Sequence, residues 1–290
     1  MPSPAYNDVS MKASHNTFAI PWPLTTLRPG GWSFPVYDLR CRAIELDVAQ
    51  YAGPLPGHAM QWSVQHDEDY KLYNRQLSQF LAELRGWSAG TPGHDVVTVL
   101  ICLKGIADHA GFPQQLDDYV GSFLCGSDRS RLYTPGDLLE RGGGGDLRTA
   151  VRSGGWPSLD ELRDRFLIVL TGAEAELATY ARSPADRLGF ACVDCGDDTR
   201  PPADYIDGRP NQLFLNYHLF GDHRASWVRN LAAVRNDPSI VTRGYRVSDA
   251  WWGDAVAAGV NMLATDNVSH PWSAPFRKRP APSAASRRRV

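Results

Sequence analysis

The 290-residue chain lacks any apolar run near the roughly 18–20 residues that a membrane-spanning helix requires, which excludes an integral helical membrane protein. Its opening stretch, MPSPAYNDVSMKASHNTF, has no apolar h-region, so no signal peptide is read there. The expectation is a cytoplasmic protein, or a secreted one if a leader has been removed. Cysteine is sparse and odd in number (Cys41, Cys102, Cys125, Cys192 and Cys195), which argues against a disulfide scaffold. Cys192-x-x-Cys195 has no second pair to complete a zinc site and reads as two thiols at the end of a strand. The glycine run Gly142–Gly145 lacks the Lys-Ser/Thr ending of a phosphate-binding loop and follows no strand, so it reads as a surface loop. No internal repeat is present.

An excess of basic charge is also missing from most of the chain. Six of the 30 Lys and Arg residues lie in Arg277–Val290, which holds no acid, so residues 1–276 carry a net charge of −8. A body this acidic is a poor polyanion binder, and no nucleic-acid partner is expected. Residues 277–290 read as a disordered basic tail, with peripheral attraction to an acidic lipid surface as the most that membrane contact would amount to. Residues 1–276 form the expected folded domain; oligomeric state is not legible.

Strand-like runs recur at Val9–Ser14, Ala43–Val48, Trp62–Gln65, Val96–Leu103, Phe166–Thr171, Phe190–Val193, Leu213–His218, Ile240–Val247 and Val260–Thr265. Several are near-continuously apolar, as buried parallel strands are. Helical patterns at Tyr73–Gly86, Ser158–Arg165 and Ala225–Asn236 lie between some of them. The alternation fits an α/β fold, a single (β/α)8 TIM-type barrel with room for irregularity. Nine candidates compete for eight places, and Phe190–Val193 is taken as the extra one.

Ionisable residues gather at the ends of the early strands: His15 and Asn16 after the first, Glu45 and Asp47 on the second, His66 after the third and Lys104 on the fourth. Side chains two apart on a strand share a face, so Glu45 and Asp47 point together. Two carboxylates on one face are costly without a compensating cation or proton. In a barrel these residues converge on one mouth. The chemistry that fits is phosphodiester cleavage, with one imidazole as base, another as acid, and a hard divalent cation on Asn16, Glu45 and Asp47. Lys104 is placed to contact phosphate, and Arg243 and Tyr245, two apart near a late strand end, to bind a head group. Salt bridges from Glu45 and Asp47 to Arg42 or Lys104 are the plainer alternative. The remaining histidines, including His94, His109, His218 and His270, read as structural.

At this point the chain resembles a known family. YNDVSMKASHNTF, RAIELDV, WSVQHD, WSAGTPGHDVVTVLICLK, WPSLDELRDRFLIVLTG and GVNMLATDNV, in this order, are similar to landmarks of the bacterial calcium-dependent phosphoinositide phospholipase C family, within the phospholipase C-like barrel phosphodiesterases. The resemblance covers most of residues 7–272. It implies His15 and His66 as the acid–base catalysts and Asn16, Glu45 and Asp47 as ligands of Ca2+, with Mg2+ as the other candidate ion. It implies attack of a neighbouring substrate hydroxyl on phosphorus and a cyclic phosphate product, from a lipid or small-molecule phosphodiester.

One departure stands out. The family's fourth strand usually reads Glu-Leu-Lys and its Glu is a metal ligand, whereas this chain has Cys102-Leu103-Lys104. A thiol is a poor match for calcium, so weaker calcium binding is expected, with Asp67 or Asp266 as replacement oxygens. Three alternatives accompany the leading reading: a glycerophosphodiesterase-like hydrolase, a lyase or cyclase recruited to small-molecule biosynthesis, and a non-catalytic barrel that binds a phosphorylated ligand.

Overall fold

A computed structural model describes residues 2–19, 41–51, 60–66, 75–196, 200–272 and 274–280. Its strands, in chain order, are β1 (Val9–Ser14), β2 (Ala43–Tyr51), β3 (Gln61–Val64), β4 (Arg75–Gln76), β5 (Val97–Gly105), β6 (Phe166–Gly172), β7 (Gly189–Gly196), β8 (Gln212–His218), β9 (Val241–Tyr245), β10 (Met262–Thr265) and β11 (Phe276–Lys278). Eight of them (β1, β2 and β5 to β10) pair in parallel in chain order, and β1 closes the ring onto β2 through Ala13 and Ala43. The result is the expected (β/α)8 barrel.

The extra strand is not the one expected. Phe190–Val193 lies on β7, a full barrel strand between β6 and β8. Trp62–Gln65 instead corresponds to β3, which runs antiparallel to the far end of β2 (Val48 opposite Val64) and carries the short β4. At the other end, β11 pairs antiparallel with the start of β1, Val9 opposite Lys278. Arg277 and Lys278 therefore belong to the sheet rather than to a disordered tail, and Arg279 is anchored by donating to Gly259 O and Asn261 Oδ1. Residues 281–290 lie outside the described residues.

Two helices match their sequence patterns with shifted ends, at Leu77–Gly90 and Arg224–Val234. The pattern at Ser158–Arg165 makes turns only. Ser158 and Glu161 form the reciprocal bonds that open a helix, and Leu162 N closes one turn onto Ser158 O. Asp164 then takes a left-handed conformation (φ 61) and accepts from the N–H groups of Gly93 and His94, which ends the turn. Short helices at Phe112–Val120, Pro135–Gly142, Leu147–Gly154, Glu174–Tyr180 and Trp252–Ala258 fill other crossovers. Thr134 with Asp137 caps Pro135–Gly142, and Asp146 caps Leu147–Gly154. The expected Gly142–Gly145 loop falls between them, with Gly143 in the left-handed conformation that ends the first.

Period-two alternation sorts the strand side chains into two cores. Ile44, Leu46, Val48, Val99, Ile101, Ile168 and Leu170 face outward against helix residues such as Leu81, Leu84 and Leu116. Met11, Ala13, Ala43, Leu100, Val169, Cys192, Val241, Met262 and Ala264 pack inside. Cys192 and Cys195 fall in different cores, so the Cys-x-x-Cys pair shares no face. Tyr6, Trp156, Phe190 and Phe214 close the bottom of the interior, with ring centroids 5.5–5.9 Å apart along the cluster. The Tyr6 hydroxyl is tied to Thr98 Oγ1 at 2.7 Å. Trp252 is buried edge-on against Trp272.

Candidate active site

Along the barrel strands the inward positions change from apolar to polar toward the C-terminal ends. Ala43 gives way to Glu45 and Asp47, Leu100 to Cys102 and Lys104, Phe214 to Asn216 and His218, and Val241 to Arg243 and Tyr245. A floor of hydrocarbon under a rim of ionisable groups is the expected build of a barrel active site.

β1 delivers His15 and Asn16. Asn16 is left-handed (φ 45), which a short polar side chain tolerates. Its N–H donates to Glu45 Oε2 at 3.0 Å, and the Glu45 N–H donates to Thr17 Oγ1 at 2.9 Å, fixing this turn to β2. His15 is 8% exposed. Its Nδ1 lies 2.7 Å from Asp266 Oδ1 and its Nε2 3.8 Å from Glu45 Oε2. The hydrogen bond with His15 holds the Asp266 carboxyl below its ordinary value. An ionised carboxylate at Nδ1 keeps the ring proton there and leaves Nε2 to face the mouth as a proton acceptor.

Glu45 is buried beside Arg243, whose guanidinium lies 2.8 Å away and also donates to Asn216 Oδ1 at 2.7 Å. Burial alone would raise the Glu45 carboxyl. Arg243, His15, the Asn16 N–H and Lys104 together bring it below its ordinary value. Asp47 differs. It is 1% exposed, and neither of its oxygens accepts a well-aligned hydrogen bond. Its nearest basic side-chain atoms are Lys104 Nζ at 3.4 Å and His66 Nε2 at 3.7 Å. Burial first, and then the charge of Glu45, push its carboxyl up to about 6.

His66 follows β3, and its side chain is 39% exposed. The bond from Gln65 N to Asp47 O docks that segment onto β2, so β3 delivers His66 to the mouth although it is no barrel strand. Cys102 is the register neighbour of Asp47, and burial followed by the Asp47 charge pushes its thiol up to about 12. Glu45, Asp47 and Cys102 each offer one ligand atom within 4.8 Å of the others.

The structure thus brings the sequence-predicted His15, Asn16, Glu45, Asp47, His66 and Lys104 into one mouth, with Arg243 and Tyr245 on its other side. Arg243 lies on β9 and is committed to Glu45 and Asn216. Tyr245 stacks between His15 and His218, at centroid distances of 5.8 and 4.5 Å. The plainer salt-bridge alternative holds in part: Lys104 does meet Asp47, but Arg42 pairs with Asp95. His218, read as structural, stands in the mouth, and Asn216 went unnoticed; both continue the period-two pattern of Phe214. Asp266 turns out to be a partner of His15, and Asp67 lies outside the described residues. His94, His109 and His270 pair with Ser88, Glu176 and Asp249 respectively.

The family model "Phosphoinositide phospholipase C, Ca2+-dependent" matches residues 63–203, a little under half of the chain, and so takes in His66, Cys102 and Lys104. No curated protein matches the sequence. The fold is similar to the calcium-dependent phosphoinositol-specific phospholipase C of a Pseudomonas species in its myo-inositol complex, with a TM-score of 0.74 at 18% identity over 95% of this chain and 96% of that one. It is also similar to the Ca2+-dependent phosphatidylinositol-specific phospholipase C of Streptomyces antibioticus, with a TM-score of 0.68 at 19% identity over 91% and 95%. A mutant phosphatidylinositol-specific enzyme of Staphylococcus aureus aligns with a TM-score of 0.52 at 12% identity over 93% and 89%. Sequence match and fold agree: residues 63–203 are similar to the calcium-dependent phosphoinositide phospholipases C, and the closed parallel barrel is similar to that of solved phosphodiesterases of this type.

Proposed function

We propose that this protein is a phosphodiesterase of the phospholipase C type, acting on a phosphoinositide-like ester. The observation that carries the reading is the row His15, Glu45, Asp47, His66, in which two imidazoles flank two carboxylates at spacings of 3.8 and 3.7 Å. A substrate hydroxyl next to the phosphate gives its proton to His15 Nε2 while its oxygen bonds to phosphorus. The bond from phosphorus to the leaving oxygen breaks, and His66 supplies the proton that the departing alcohol takes. The product is a cyclic phosphate, which water opens with the two roles exchanged. Asp266 holds the His15 ring in register throughout. Lys104 offers its ammonium to the phosphate oxygens, and the ring of Tyr245 lines the wall beside them.

The buried Asp47 carboxylate, whose oxygens accept no well-aligned hydrogen bond, fits a divalent cation. Asp47, Glu45 and the Asn16 side chain would hold it, calcium by the family's name, and it would offset phosphate charge. With Cys102 in place of a third carboxylate, calcium binds more weakly than to an all-oxygen set. The substrate is a lipid or soluble phosphodiester. No described helix is long and apolar enough to cross a membrane.

The test is turnover of phosphatidylinositol and of a soluble aryl inositol phosphate with calcium, magnesium or EDTA. His15→Ala should lower the rate roughly 10²–10⁴-fold. Absence of turnover of either compound under every condition rejects the reading, and release of glycerol phosphate in place of an inositol phosphate reassigns the substrate.

A further inference from the structure

β2 and β5 run parallel with Asp47 opposite Cys102, and Glu45 two residues earlier on the same face. These three side chains converge from two ladder-bonded strands, not from loops, so their separation is built into the barrel wall. We propose that this wall binds a thiophilic divalent cation of the zinc class, through Cys102 Sγ with Asp47 and Glu45 oxygens, in preference to calcium. The inference rests on the reading of the mouth as a divalent-cation site and names the class of ion it selects.

Three observations support it. The Asp47 carboxylate is shut from solvent without accepting a well-aligned hydrogen bond, which is costly unless a cation completes it. Arg243 is already engaged by Glu45 and Asn216, and Lys104 Nζ and His66 Nε2 both stand by Oδ2 of Asp47, at 3.4 and 3.7 Å, so neither meets its Oδ1. The donor set itself points away from calcium. Calcium takes six to eight oxygens, while zinc takes about four ligands and accepts sulfur and carboxylate together. Three protein ligands with a remaining position match that smaller demand and leave a place for a substrate oxygen. As the ion binds, the Sγ–H bond breaks, its electron pair stays on sulfur to form the sulfur–metal bond, and the proton leaves to the buffer. Binding therefore releases one proton per ion and tightens as pH rises. The other cysteines among the described residues, Cys41, Cys125, Cys192 and Cys195, are buried and belong to no such cluster.

The experiment is a titration of the full, EDTA-stripped chain with Co2+, followed by absorption spectroscopy and then by competition with Zn2+ and Ca2+. The expected result is a sulfur-to-cobalt charge-transfer band that saturates at one ion per chain, is displaced by zinc, and resists millimolar calcium. Cys102→Ser abolishes the band and weakens zinc binding at least about tenfold. Cys102→Glu abolishes the band and reverses the preference toward calcium. The inference is overturned if cobalt binds without the band, if the band survives in Cys102→Ser, if calcium displaces zinc, or if no divalent cation binds. Turnover of the aryl inositol phosphate, measured on the same samples, separates the two readings. The band without turnover under any ion rejects the phosphodiesterase and leaves the ion site standing. Turnover with calcium and no band rejects the ion site and leaves the phosphodiesterase.

Discussion

His15 Nδ1 and Asp266 Oδ1 meet at 2.7 Å across 251 residues of chain. The contact exists because β1 and β10 are neighbours in the closed ring, with Ser14 opposite Thr265 one residue before each partner. Asp266→Asn keeps the shape and removes the charge, so the ring loses its fixed tautomer. The expected outcome is a fall in kcat of roughly 10²–10⁴-fold with KM nearly unchanged and an unaltered far-ultraviolet circular dichroism spectrum. A variant with full kcat would show that Asp266 does not position the ring.

Arg243 and Glu45 form a buried pair across the interior, from β9 to β2. Arg243→Met leaves the Glu45 charge with only His15 and Lys104 nearby, and urea unfolding should show a loss of about 3–5 kcal/mol. Adding Glu45→Leu removes the stranded charge and should restore a large part of that loss. If the two losses simply add, the pair is not coupled.

Asp47 sets a pH dependence whose direction is fixed. Its carboxyl rises from an ordinary 3.8 to about 6 in the fold, so between these values the folded chain holds a proton that the unfolded chain has released. Stability contributed here therefore falls as pH rises through that window, and the penalty is complete above it. In metal-free protein, Asp47→Asn should be more stable than the parent at pH 7, by about 1–3 kcal/mol, with the gap closing toward pH 4. Thermal melts at both pH values check it, and a gap that stays constant or widens at low pH contradicts the assignment.

How far the fold could be read from sequence depends on which face a residue uses. The outward stripe is apolar over Ile44–Val48 of β2, Val97–Leu103 of β5 and Phe166–Leu170 of β6, so those strands are plain. On β7 the inward face turns polar at Asp194, which shortened the visible run to Phe190–Val193 and made a barrel strand look dispensable. β3 shows a run of similar length, but pairing direction leaves no mark on a four-residue pattern, and so the hairpin passed for a barrel strand. The acids and imidazoles of β1 and β2 were legible because they sit two apart or at strand ends. The His15–Asp266 contact, the Arg243 bridge to Glu45 and Asn216, and the stack of Tyr245 on His218 were not. Each joins residues that are distant in the chain and become neighbours only when the ring closes.

The plug of Tyr6, Trp156, Phe190 and Phe214 has a consequence for traffic. Among the described residues these four rings stopper the far end, so the ionisable groups of the interior are approached only from the rim that the C-terminal ends of the strands make.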